Sequence, residues 1–130
     1  MATCSARSAT ELEVKLSSTL EAPSQGRRYV RHRLTEAGHP ELIDNATVIV
    51  SELVTNAIRA APEDPVWVAL RTDGDRQILE VQDCSPVLPA LEPADLMAEG
   101  GRGLRVVAAL AAELGCTPVS GGKILWAVLQ

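Results

Sequence analysis

Apolar residues recur at helical spacing in residues 48–61, VIVSELVTNAIRAA, more clearly than elsewhere in the chain. The three- and four-residue spacing places them on one face of a helix. That face consists of Val50, Leu53, Val54, Ala57, Ile58 and Ala61. Glu52 and Asn56 are four residues apart beside this stripe, so their side chains lie one above the other. The pattern predicts a buried helix that carries, at its edge, a carboxylate and a carboxamide able to hold one cation or one water.

The remaining elements follow from the same two periods. Apolar and polar residues alternate, as they do in half-buried strands, over residues 11–17, 66–71, 77–83, 116–120 and 123–129. Helical spacing predicts helices over residues 23–37, 41–61 and 103–114. Gly38 and Gly115 are placed to end the first and the last of these helices. Asp73-Gly74 and Gly121-Gly122 predict hairpins between the strands that flank them.

Residues 84–101 have no such period, and they contain Pro86, Pro89 and Pro93. We expect a long loop with a helical turn near residues 95–98, and long loops in small domains are often functional. The order of elements predicts the α+β class, as a two-layer sandwich in which a mixed, mostly antiparallel sheet is covered on one face by helices. With 130 residues, the chain has the length of one domain, predicted over residues 11–130, after a flexible N-terminus at residues 1–10.

Composition excludes several classes of function. The chain is 46% hydrophobic and 22% charged, as globular proteins are, and no apolar run reaches the roughly 20 residues that span a membrane. Its net charge of −5, with two Trp and one Tyr, does not provide the basic, aromatic surface of a nucleic-acid-binding protein. The N-terminus lacks the apolar segment of a secretory signal, and the three cysteines do not have the spacing of a disulfide framework. These features predict a cytoplasmic protein without direct nucleic-acid or membrane contact.

Three motifs with chemical meaning occur in a fixed order. The first is Glu52-x-x-x-Asn56, and the second is Asp83-Cys-Ser85-Pro, where an acid ends a strand and enters the long loop. The third is a glycine-rich segment immediately before a helix, Gly100-Gly101-Arg102-Gly103-Leu104. Glycines at a helix N-terminus present backbone N–H groups and the positive end of the helix dipole, which suits an anion such as a phosphate.

With the closing hairpin, these motifs resemble the Bergerat-fold or GHKL ATPases, the ATP-binding domain shared by histidine kinases, gyrase, Hsp90 and MutL. Within that group the chain is most similar to the single-domain anti-sigma factor serine/threonine kinases of the SpoIIAB and RsbW type, in their actinobacterial form. The resemblance covers residues 10–130. It implies ATP and Mg²⁺ as cofactors, and as partners a sigma factor, an anti-anti-sigma protein of the STAS type, or both, with a possible homodimer.

The resemblance also implies a role for each motif residue. Asn56 corresponds to the asparagine that binds Mg²⁺ on the ATP phosphates, and Glu52 to the catalytic glutamate that orients or deprotonates the attacking hydroxyl. Asp83 corresponds to the aspartate that accepts a hydrogen bond from the adenine amino group, with Ser85 beside it. The glycine-box residues that would contact the nucleotide are Gly101, Arg102, Gly103 and Leu104.

The sequence departs from that family at several positions. Ala60 stands where relatives commonly have a histidine, the loop at residues 84–101 lacks the usual D-x-G-x-G, and Ile124 cannot supply the hydroxyl that is common near the C-terminus. Three functions therefore remain open: a kinase that phosphorylates its antagonist, an ATP-dependent partner-switching adaptor without transfer, and a scaffold that no longer binds ATP. The intact Glu52, Asn56 and Asp83 argue against the scaffold.

Overall fold

The structure is a computed structural model that describes residues 13–92 and 102–130, with the side chain of Arg102 left out. Its helices are α1 (Ala22–Glu36), α2 (Ile43–Ala60), preceded by a 3₁₀ turn at Pro40–Leu42, and α3 (Arg102–Leu110). Its strands are β1 (Glu13–Leu16), β2 (Val66–Asp73), β3 (Arg76–Asp83), β4 (Glu113–Val119) and β5 (Gly122–Val128). The predicted α+β class, with a sheet and helices packed against it, is confirmed.

The strands form one sheet in the order β1-β2-β3-β5-β4, and every pairing between described strands is antiparallel. The closing hairpin therefore adds its second strand, β5, directly beside β3. In that register Asp83, the last residue of β3, lies opposite Lys123, the second residue of β5. Residues directly opposite each other point to the same face of a sheet, so these two side chains meet.

The core lies between the sheet and α2. Four residues of the predicted stripe, Val50, Leu53, Val54 and Ala57, are 0% exposed. Ile58 is only partly buried, and Ala61 lies just after the end of α2. Full burial of one such apolar side chain contributes about 1.5–3 kcal/mol, and their sum holds α2 in a fixed position over the sheet. Gly26 of α1 allows the two helices to come close, since a Cβ at that position would lie 3.2 Å from Cγ2 of Val50.

The end of α1 follows the prediction. Gly38 has a φ of 81°, a left-handed conformation that glycine adopts without steric cost. The N–H of His39 donates to the carbonyl of Leu34 at 2.9 Å, and that of Gly38 donates to Thr35 at 3.2 Å. These two bonds are those of a Schellman motif, which satisfies the last carbonyl groups of a helix.

The predicted end of the last helix is wrong. We expected the helix to continue to residue 114 and Gly115 to end it, but α3 ends at Leu110 and β4 already begins at Glu113. Gly115 is a strand residue that leaves room for an aromatic ring, because a Cβ there would lie 2.0 Å from Cζ2 of Trp126. The apolar residues after Leu110 fit a helix and a strand equally well, and pairing with β5 decides for the strand.

Candidate functional site

A cavity of about 340 Å³ lies where α2, the segment after β3, and β5 meet. This volume is within the range of about 300–1,000 Å³ that is usual for small-molecule sites. The cavity is lined by Asn56, Ala60, Ser85, Val87, Pro89 and Lys123. A cavity of about 620 Å³ lies between β1 and the start of α1, and one of about 430 Å³ lies between the start of α1 and the end of α2; no predicted site residue lines either of them. The structure thus brings the first two motifs to one small cavity.

The helix side of the cavity carries the E-x-x-x-N pair. Asn56 lines the cavity and is partly exposed, so its carboxamide oxygen is available to a ligand. Ala60, one turn further, also lines the cavity and provides no polar group. Because α2 is fixed by its buried apolar face, these positions are held rigidly relative to the sheet.

Glu52 lies one turn before Asn56 and approaches the first turn of α3. A Cβ at Gly103 would lie 2.7 Å from Oε2 of Glu52, a distance that Cβ atoms essentially never show. Glycine at residue 103 therefore permits this approach. The N-terminal end of a helix carries positive partial charge and favours a nearby carboxylate. The first and third motifs are thereby in contact, although they are far apart in sequence.

Asp83 lies on the sheet side and is only 1% exposed. The Nζ atom of Lys123 lies 3.0 Å from Oδ2 and 3.1 Å from Oδ1 of this carboxylate. The backbone N–H of Ser85 also donates to Oδ1, at 2.9 Å. The aspartate is therefore held by an ion pair and a turn, and Lys123 rather than Asp83 lines the cavity.

Two neighbours fix this arrangement. Ser85 is 7% exposed, and its hydroxyl accepts a bond from the N–H of Val87 at 3.3 Å, which orders the start of the loop. Gly122 lets β5 pass close to the end of β3, since a Cβ there would lie 2.0 Å from the carbonyl oxygen of Asp83. Both residues act on the geometry around Asp83.

Lys123 was not among the predicted site residues. The comparison with the family drew attention to the missing hydroxyl at Ile124, but neighbouring residues of a strand point to opposite faces. Lys123, and not Ile124, is therefore the β5 residue whose side chain lines the cavity. Residue 123 lies opposite residue 83 because β5 pairs with β3, strands that are not neighbours in sequence, and no local sequence pattern signals that register.

The third motif is described only in part. Gly101 and the preceding loop residues from 93 onward lie outside the described residues, as do residues 1–10 and the predicted turn near residues 95–98. For Arg102 only the backbone, at the start of α3, is described. Leu104 is 7% exposed and packs in the hydrophobic core, so its side chain anchors α3 to the core.

The expectation that no cysteine takes part in a disulfide is wrong. Cys84 is disulfide-bonded, which removes the cysteines from the argument for a cytoplasmic location. Cys116 is a free thiol on β4, and burial raises its pKa, while the nearby charge of Lys123 opposes that rise. A raised pKa means less thiolate at neutral pH, and therefore lower reactivity.

Two further findings concern residues 13–92 and 102–130 alone. Within these ranges, every helix is too short or too polar to cross a lipid bilayer. The same ranges contain no group of three or more His, Cys, Asp or Glu side chains suited to hold a metal ion. A metal that takes most of its ligands from phosphates and waters, as Mg²⁺ usually does at nucleotide sites, needs one or two protein oxygens. The amide oxygen of Asn56 fits that requirement.

Comparison with known families gives the class of protein. The histidine kinase-like ATPase domain matches residues 16–129. The chain therefore belongs to the histidine kinase-like ATPase domain family, as the three motifs predicted, and membership implies ATP binding. No curated protein matches the chain.

Two solved structures are similar to this chain over most of its length. The chain is similar to the crystal structure of the RsbU and RsbW domains of Rv1364c from Mycobacterium tuberculosis, with 25% identity and a TM-score of 0.62. The match covers 91% of this chain and 31% of that one. It also resembles the Acinetobacter baumannii histidine kinase AdeS, with 16% identity, a TM-score of 0.56, and coverage of 91% and 66%. The AdeS likeness shows the fold alone, and the RsbW-containing neighbour agrees with the anti-sigma factor kinase branch.

Proposed function

We propose that this protein is a regulatory ATP- and Mg²⁺-binding protein of the anti-sigma factor kinase type. It would bind a sigma factor or a similar partner and phosphorylate a serine or threonine of an anti-anti-sigma antagonist of the STAS type. Residues 11–130 would form the single ATP-binding domain of a cytoplasmic protein that forms homodimers and does not contact nucleic acid directly. The similarity to a structure that contains RsbU and RsbW domains supports the choice of branch.

One observation carries the proposal: the same small region contains Asn56, Ser85 and Lys123 around a cavity and Glu52 against the N-terminal turn of α3. A nucleotide needs a pocket for its base and a set of donors for its phosphates. The cavity offers the first, and the first turn of α3 offers backbone N–H groups to the second. Periodicity in a core helix alone would not produce this convergence.

Each residue then has a defined task. The amide oxygen of Asn56 would be the protein ligand of Mg²⁺, which when bound neutralises charge on the phosphates. The carboxylate of Glu52 would orient the acceptor hydroxyl and take its proton as the hydroxyl oxygen bonds to the γ-phosphorus and ADP leaves. The Asp83 carboxylate would accept a hydrogen bond from the adenine amino group, and Ser85 would hold that carboxylate through its N–H. Gly101 and Arg102 would complete the phosphate contacts.

A second function is favoured by one specific observation. Ala60 lines the cavity at the position where the kinase relatives commonly have a histidine, so the phosphate side of α2 has one polar group fewer. An ATP-dependent adaptor that changes partners without phosphoryl transfer needs only the binding groups. Nucleotide binding tolerates this loss better than catalysis does.

The deciding experiment separates binding from transfer. Calorimetric titration with ATP, with and without Mg²⁺, measures the binding, and γ-labelled ATP with purified STAS-type candidates measures the transfer. Labelled antagonist supports the kinase, whereas tight Mg²⁺-dependent binding without label supports the adaptor. No heat at millimolar ATP, together with no thermal shift, would contradict both functions.

A further inference from the structure

Lys123 stands between the cavity and Asp83, the residue to which the proposed function assigns the contact with adenine. The ammonium nitrogen lies 3.0 Å from Oδ2 and 3.1 Å from Oδ1, so both oxygens of the carboxylate are already in contact with it. The side chains of Lys123 and Asp83 are only 3% and 2% exposed, and Lys123 lines the cavity whereas Asp83 does not. A ligand in the cavity therefore cannot reach the carboxylate while the lysine keeps this position.

We propose that Lys123 is an internal competitor of the nucleotide: its ammonium group occupies Asp83 in the ligand-free protein and must leave before adenine can bind there. This inference rests on the proposed ATP site and adds to it a residue that sets the affinity. ATP binds only to the fraction of molecules in which the lysine side chain has turned away, and its apparent affinity is reduced by that fraction.

The side chain of Lys123 is the part of this region that can move. Gly122 packs against the end of β3, since a Cβ there would lie 2.0 Å from the carbonyl oxygen of Asp83, and the pairing of β3 with β5 continues up to residue 123. The N–H of Ser85 holds the carboxylate through Oδ1 at 2.9 Å. Lysine, in contrast, has a flexible four-carbon stem, and this one borders the open space of the cavity. Release of Asp83 requires the rotation of one side chain and no change in the fold.

The exchange of the lysine for adenine lowers the affinity because the two donors differ in charge. The ammonium group attracts the carboxylate through opposite charge as well as hydrogen bonds, and that attraction is stronger away from bulk water. The amino group of adenine is a neutral donor and supplies the hydrogen bond alone. The freed ammonium group returns to water in the cavity or pairs with an anionic group of the ligand, which makes the exchange possible.

Stability alone gives a weak reason for a buried ion pair at this place. Well-packed apolar residues in place of such a pair are often as stable or more stable. Val81 and Leu125, which pair two residues further along the same strands, are each 1% exposed and show that this face of the sheet accepts apolar residues. Control over what reaches Asp83 from the cavity is a reason that apolar residues could not supply.

The experiment measures affinity by titration calorimetry with Mg²⁺ and an ATP analogue that has a non-hydrolysable β,γ-linkage. Lys123→Ser removes the ammonium group and leaves a small hydroxyl that can donate to Asp83. This variant should bind the analogue roughly tenfold or more tightly than the wild type, because the ion pair no longer has to separate. Lys123→Arg keeps the ion pair and should bind no more tightly than the wild type. Lys15→Ser is the matched control, since this exposed lysine lies on β1, away from the cavity.

Two further ligands distinguish competition at the base from a contact with phosphate. Adenosine should gain as much from Lys123→Ser as the triphosphate does, because both bring the amino group to Asp83. Purine riboside triphosphate, in which a hydrogen replaces the 6-amino group, should gain little, because it does not bond to the carboxylate. A lysine that binds phosphate would give the opposite result, with weaker triphosphate binding in Lys123→Ser and unchanged adenosine binding, and would overturn the proposal.

The remaining outcomes separate this inference from the proposed function. If Lys123→Ser does not fold, Lys123→Gln keeps an N–H donor for Asp83 without the charge and should also bind the analogue more tightly than the wild type, by a smaller factor. Wild-type affinity in the folded variant would overturn the role of Lys123 and leave the ATP site standing. Failure of both the wild type and the variant to bind ATP would overturn the proposed function and this inference with it.

Discussion

The candidate site has two sides, here called the helix wall and the sheet wall, which are built in different ways. On the helix wall Glu52 and Asn56 are partly exposed and project from a helix whose opposite face is buried. On the sheet wall Asp83 and Lys123 are almost completely buried and hold each other in an ion pair. Groups on the first wall stay hydrated until a ligand arrives, whereas those on the second have already lost their water when the protein folds. The side chains of the helix wall can therefore change position when a ligand binds, whereas those of the sheet wall are already held in place.

The largest effect should come from separating the charges of the sheet wall. Asp83→Ala leaves the Lys123 ammonium buried without its partner, and removal of one member of a buried pair costs about 3–5 kcal/mol. The combined Asp83→Leu/Lys123→Met variant removes both charges and should recover most of that loss. Chemical denaturation measures both free energies of unfolding.

A matched experiment on the helix wall sharpens this contrast. Glu52→Ala removes a carboxylate that is partly exposed, so the stability should change by less than about 1 kcal/mol. Equal destabilisation by Asp83→Ala and Glu52→Ala would contradict the distinction between the two walls.

The same difference explains which features could be predicted from sequence. The helix wall depends on spacing within α2, and the stripe from Val50 to Ala57, with Glu52 and Asn56 beside it, follows from local periodicity. The contact between Asp83 and Lys123 joins residues 40 positions apart. It depends on the register of β3 with β5, which no short segment encodes.

Glycines illustrate both cases. Gly38 and Gly74 were correctly placed at a helix end and a hairpin, because left-handed backbone is a local requirement. Gly115 was misinterpreted as a helix end, since its real requirement is the ring of Trp126 on the neighbouring strand. A glycine that is required by a contact with a distant segment has no signal in the sequence around it.

The second prediction concerns catalysis on the helix wall. If the protein is a kinase, Glu52→Ala should lower phosphoryl transfer roughly 10²–10⁴-fold, because the positioned carboxylate no longer takes the proton of the acceptor. ATP affinity should change by less than about threefold. Single-turnover transfer to a STAS-type antagonist measures the rate, and Glu41→Ala, an exposed glutamate outside the cavity, is the control. Undiminished transfer in Glu52→Ala would show that another group activates the acceptor.

The third prediction concerns the metal. Asn56→Ala removes the amide oxygen that would contact Mg²⁺, so the Mg²⁺-dependent part of ATP affinity should fall about tenfold, as for one lost hydrogen bond or ligand. Affinity measured in EDTA should stay as it is in the wild type. Asn45→Ala is a suitable control, since Asn45 lies on the same helix but donates to the carbonyl of Gln130 at 3.1 Å. The same loss in EDTA as in Mg²⁺ would assign Asn56 to the nucleotide itself.

The smallest effect on stability, and the most specific one on function, should come from Gly103→Ala. The added Cβ would lie 2.7 Å from Oε2 of Glu52, so the carboxylate must move. Glutamate is flexible, and alanine is favoured over glycine inside a helix by roughly 0.5–1 kcal/mol. We therefore expect the free energy of unfolding to stay equal or to rise slightly. Phosphoryl transfer should fall about tenfold, because the proton acceptor is displaced from its position.

A double-mutant cycle tests whether this effect passes through Glu52. If it does, Gly103→Ala lowers the rate in the wild-type background and has little effect in the Glu52→Ala background. Additive losses would show instead that alanine disturbs the phosphate contacts at the first turn of α3. In that case ATP affinity should also fall, and calorimetry on Gly103→Ala alone distinguishes the two causes. A rate and an affinity that both remain unchanged would mean that the contact between Glu52 and the start of α3 has no part in the function.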